Sequence, residues 1–109
     1  MSVFEKYYNE DGQVGVLVSR GFGAGWSTWN DDSELFMMDS NLIQMKLDEK
    51  SDEDAKIYLL DKLGVRHVCV LGWDDCEVVF LNKGTAFVIN EYDGSESLDI
   101  INEEYYTVA

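Results

Sequence analysis

The stretch SDEDAKIYLLDKLG, residues 51–64, reads as a helix set between two strand-rich regions. Ser51 can cap its first turn, and Asp54 three positions on is a short-armed version of the capping box. Ala55, Tyr58, Leu59 and Lys62 fall on one face, with Ile57, Leu60 and Leu63 beside it. Gly64 supplies a left-handed stop. Just upstream, Asp39–Leu47 (DSNLIQMKL) reads as a shorter helix capped by Asp39 or Ser40. Toward the N-terminus, Gln13–Ser19 (QVGVLVS) is rich in β-branched residues and reads as a strand. Val3–Tyr8 would be its partner across the turn Asn9-Glu10-Asp11-Gly12, since Asp-Gly is a strong hairpin signal. Beyond the helix, Val65–Leu71 predicts another strand, and Glu77–Leu81 and Thr85–Asn90 a hairpin about Asn82-Lys83-Gly84. Ser97–Ile101 predicts a last strand after Asp93-Gly94-Ser95. Strands, then helices, then strands define an α+β fold: one compact domain over residues 1–109, mostly antiparallel, with one or two helices on a face.

The chain carries 22 acids against 8 bases, a formal net charge of −14. Apolar residues are interleaved throughout and make up 46%, so this is an acidic folded domain and not an acidic tail. Such a domain is repelled by phosphate backbones, which argues against direct nucleic-acid binding, and it is drawn to basic surfaces. The charge is uneven: residues 1–29 hold two bases and three acids, and almost all the excess lies beyond them. No apolar run is long enough for a membrane span, and MSVFEKYYNEDG has no signal-peptide pattern, so a cytoplasmic location and no membrane partner are expected. Cys69 and Cys76 are too few for a disulfide framework and are expected as thiols.

Residues 20–30, RGFGAGWSTWN, stand out in the nearly neutral third. The glycine spacing is neither a dinucleotide fingerprint nor a P-loop. Closely spaced glycines such as Gly23 and Gly25 can instead expose backbone N–H groups as an anion nest. Arg20, Ser27 and Thr28 add polar contacts, and Trp26 and Trp29 can stack on a planar ring. The competing reading is a glycine-rich bend whose tryptophans pack under the sheet. Later, Glu91, Tyr92 and Asp93 end a strand and enter a turn, where loops often carry function; an ordinary acidic turn is the alternative.

Other chemistry has less to stand on. His67, Cys69 and Cys76 are the only soft metal-ligand cluster, and the apolar VCV context favours Cys69 as a small buried hydrophobe. No nucleophile elbow or phosphate-cleaving metal site is visible, so no catalytic residue, no metal and no cofactor are expected, and binding is favoured over catalysis.

GFGAGWSTWN (residues 21–30) and FVINEYDGSESL (residues 87–98) resemble a family of small uncharacterised tailed-bacteriophage proteins, with a G-[FY]-G-A-G-W-x-T-W-N stretch and a late E-Y-D-G-S-E-S stretch. The resemblance covers most of the chain in order, but only these two motifs are specific, and residues 31–64 carry none. It implies a phage accessory protein made in the bacterial cytoplasm and brings no catalytic residue. Two functions are expected on these grounds. In the first, the acidic surface binds a host protein stoichiometrically, covering a basic nucleic-acid groove of a defence component. In the second, residues 20–30 and 91–97 form a pocket that holds a small nucleotide-type immune signal without cleaving it. The oligomeric state stays open.

Overall fold

The computed structural model describes residues 4–30, 33–100 and 107–109. The chain runs β1 (Val14–Ser19), α1 (Ser33–Met38), α2 (Ser40–Leu47), α3 (Asp52–Ile57), β2 (Cys76–Leu81), β3 (Ala86–Tyr92), β4 (Ser95–Ile100) and β5 (Thr107–Val108). It is an α+β domain with two small antiparallel sheets, β1-β2 and β4-β3-β5.

Strand β1 is the centre of the molecule. All six of its residues are buried, because both of its faces are covered. Val14, Val16 and Val18 point into one core with Met37, Met38, Leu81, Phe87 and Ala109. Leu17, on the other face, joins Trp26, Leu35, Phe36, Leu42, Ile43, Leu59 and Trp73. Trp26 is the hinge of this second core: its ring lies 5.2 Å from Phe36 and 5.3 Å from Trp73, and its indole N–H donates to the Phe36 carbonyl at 2.6 Å. Burial with the indole N–H satisfied makes this side chain worth about 3–5 kcal/mol against truncation to alanine.

The helices begin where short polar side chains cap them. The Asp39 carboxylate accepts the Leu42 N–H at 3.2 Å and starts α2. It also accepts the Tyr58 hydroxyl at 2.7 Å, tying α2 to the chain that follows α3. Ser51 caps α3 by accepting the Asp54 N–H at 3.2 Å. The winding then widens over Tyr58–Lys62, where the Leu63 N–H reaches the Tyr58 carbonyl, and it stops at the left-handed Gly64.

Three expectations are corrected. Val3 lies outside the described residues, and the chain from Phe4 to Tyr8 makes only single bridges, Lys6 to Asp39 and Tyr8 to Val14, because it diverges from β1 to meet the start of α2. The Val65–Leu71 segment is irregular despite its β-branched residues, because a side chain takes the place of a strand partner at Cys69. Strands β2 and β3 do not form a hairpin: β2 pairs with β1, and the chain passes through Asn82–Thr85 into the other sheet. The buried helix α1 (SELFMM) carries no period long enough to read from sequence. Ile101, expected to end the last strand, lies outside the described residues.

Candidate functional site

The two motifs meet. Strands β3 and β4 pair in register through Glu91 with Glu96 and Tyr92 with Ser95, closed by a two-residue turn in which Asp93 (φ 49) and Gly94 (φ 85) are both left-handed. This turn lies on the 20–30 segment. The Gly23 N–H donates to the Asp93 carbonyl at 2.6 Å, and the Ser95 hydroxyl donates to the Arg20 carbonyl at 3.2 Å. Gly94 is required by this approach: a Cβ there would overlap the Ala24 backbone.

At the junction sits Glu96, 1% exposed. Its carboxylate accepts four hydrogen bonds, from the Ser19 N–H at 3.0 Å, the Trp26 N–H at 2.7 Å, the Thr28 N–H at 3.1 Å and the Thr28 hydroxyl at 2.6 Å. The glycine-rich stretch is therefore an anion nest, and the anion is the protein's own side chain. Glu91, its cross-strand partner, accepts the Trp29 indole N–H at 2.9 Å and the Gly94 N–H at 2.9 Å. Those two bonds, the indole first, hold the Glu91 carboxyl below the ordinary value of a glutamate. Two like charges directly opposite on a sheet repel, and donors from residues 19–29 and 94 offset that repulsion.

The other expected site residues fall on two sides of this clasp. Gly25, Trp26 and Ser27 are buried, and the Ser27 hydroxyl has no partner among the described residues. Arg20, with about half of its side chain exposed, pairs with Glu77 at 2.8 Å. Gly23, Thr28, Glu91 and Asp93 are exposed. Phe22 and Tyr92 flank the Gly23–Asp93 bond and stand 70% and 78% exposed. Leu71, 73% exposed, joins this end because Gly72 packs against the Gly25 backbone. Asp75, whose carboxylate borders Gly21, and Asp93, in the turn next to Tyr92, bring two carboxylates to this end, where Arg20 is paired with Glu77.

A cleft of about 440 Å³ opens beside Trp29. Its wall is built by Asn30, a residue the pattern of the sequence did not single out. The Asn30 side-chain amide donates to the carbonyls of Trp26 at 2.7 Å and Cys69 at 3.0 Å, and its oxygen accepts the Cys69 N–H at 2.8 Å. This brings residues 66–69 against the end of α3, so that Arg66, His67 and Cys69 line the cleft with Trp29, Lys56 and Leu60. Cys76 belongs to the core instead, where burial raises its thiol pKa. Among the described residues no three metal-ligating side chains come together, and no helix is long and apolar enough to cross a membrane.

No family model, no curated protein and no solved structure matches the chain.

Proposed function

We propose that the protein is a non-enzymatic bacteriophage accessory protein that inhibits a host component, one of the anti-phage defences, by stoichiometric binding to a basic protein surface. The observation that carries this reading is the composition of the motif end of the fold. Phe22, Tyr92 and Leu71 stand exposed, with Asp75 and Asp93 at the same end, on a domain of net charge −14. Exposed aromatic anchors surrounded by charge suit a protein interface, in which the anchors supply affinity and the carboxylates speed and orient the encounter. The backbone N–H groups at Trp26 and Thr28 support the same choice, since they already donate to Glu96 and are not free to hold the nucleotide phosphate expected between residues 20–30 and 91–97. The phage origin rests on the resemblance of the two motifs.

The test is affinity capture from a bacterial lysate with the wild-type chain and with Phe22→Ala/Tyr92→Ala. A single host protein held at one-to-one stoichiometry, released as salt rises through about 0.5 M and lost with the double variant, is expected. Capture that ignores both salt and the two aromatic residues would refute the interface.

A further inference from the structure

We infer that the cleft beside Trp29 is a binding site for a small phosphate-bearing molecule with a planar ring, of mononucleotide size. The inference is independent of the protein interface, whose anchors Phe22, Tyr92 and Leu71 do not line this cleft.

In a chain with only eight lysines and arginines, two, Lys56 and Arg66, line one cleft with the sole histidine, His67. Lys56 and Arg66 make no ion pair with any described residue; the one such pair is Arg20 with Glu77. Arg66 offers a planar fork of donors suited to phosphate oxygens, and Lys56 a mobile point charge. The cleft volume of about 440 Å³ falls within the usual range for small-ligand sites.

The aromatic wall is held in place before any ligand arrives. Trp29 is 42% exposed, and its indole N–H is fixed to Glu91. A ring held by its edge keeps its face available for stacking on a planar base. The wall at Asn30 and Cys69 is held by the three Asn30 bonds to Trp26 and Cys69. Preorganisation of both walls reduces the ordering cost of binding. The protein's overall negative charge does not forbid an anion here: Glu91 sits at the edge of the Trp29 ring, but among the described residues no carboxylate lines the cleft itself, and those more than a Debye length away, about 8 Å at physiological salt, are largely screened.

The probe is ADP, titrated into the full chain with excitation selective for tryptophan, and with inorganic pyrophosphate as the ringless comparison. Trp26 and Trp73 are fully buried, so a change in emission reports on Trp29. Saturable quenching with a dissociation constant below about 1 mM is expected. Lys56→Ala/Arg66→Ala should weaken it at least tenfold, and Trp29→Leu should weaken ADP while leaving pyrophosphate unchanged by calorimetry. All three side chains are exposed, and circular dichroism would verify that the variants fold. Phe22→Ala/Tyr92→Ala should leave ADP affinity unchanged, which separates this site from the protein interface. The inference is overturned if neither probe saturates up to about 5 mM, if the double cation variant binds ADP as well as wild type, or if pyrophosphate binds as tightly as ADP.

Discussion

Replacing Glu96 by glutamine should destabilise the protein far more than the same change at Glu91, although the two residues face each other across one pair of strands. Glutamine keeps the shape of the side chain. Its oxygen can occupy the position that accepts from Trp26 N–H, Thr28 N–H and the Thr28 hydroxyl. Its NH2 group then faces the Ser19 N–H, and that buried donor loses its partner. An orphaned donor costs about 1–3 kcal/mol, and exchanging a charged acceptor for a neutral one weakens each remaining bond by roughly half. Relief from burying a charge offsets part of this. The net loss is about 3 kcal/mol. For 109 residues the unfolding entropy is about 0.23 kcal/mol/K, so the melting temperature should fall by about 13 °C. Thermal and urea melts followed by circular dichroism read the loss directly. Glu91 makes its bonds at an exposed position, and Glu91→Gln should shift melting by less than about 4 °C. If Glu96→Gln melts within about 4 °C of wild type, the carboxylate does not organise the 20–30 segment and the clasp has been misread.

Gly94→Ala should cost about 2–5 kcal/mol, from a left-handed alanine and overlap with the Ala24 backbone, whereas Gly84→Ala, left-handed but in open space, should cost about 1 kcal/mol; paired urea melts compare them. Burial first, then the Asp39 hydrogen bond, raises the Tyr58 pKa to about 12, so its contribution to stability is intact below pH 10 and is lost as pH rises toward 12; Tyr58→Phe should remove that alkaline loss from stability measured against pH. The depressed Glu91 pKa has the opposite sign: its contribution is present above the ordinary glutamate range and is lost as pH falls through its folded value, and in Trp29→Phe an NMR titration of the side-chain carboxyl should move upward. Cys69, half-buried, should react with a thiol reagent in the native state well before Cys76, whose labelling should wait for unfolding.

What could be read from the sequence was what short-range chemistry decides. The caps at Asp39 and Ser51, the stop at Gly64 and the Asp93-Gly94 turn all depend on a few adjacent residues, and each stands where the pattern placed it. The partners of β2 and β3 depend on which strand takes the centre, and β1 excludes the local hairpin by pairing with β2. The meeting of the two motifs was foreseeable from their position, but the identity of the buried acid was not, among 22 acids. A faint signal existed: Glu96 shares a face of β4 with Leu98, so a carboxylate stood on the apolar side of a strand. The cleft had no such signal, since Lys56, Arg66 and Trp29 are brought together by the side-chain bonds of Asn30 across 39 residues.

The clasp has a consequence for how the chain is made. The Trp26 N–H and its acceptor are 70 residues apart. At the usual pace of synthesis, about 5–20 residues per second, the nest waits roughly 4 to 14 s for the side chain that fills it. Throughout that interval the newborn chain holds a glycine-rich segment with two tryptophans, whose Trp26 and Thr28 amides lack the acceptor they have in the folded protein. Ordering of the 20–30 segment is thus a late event, coupled to arrival of the β3–β4 hairpin, and a chaperone that shields exposed aromatic residues would find its substrate in that window.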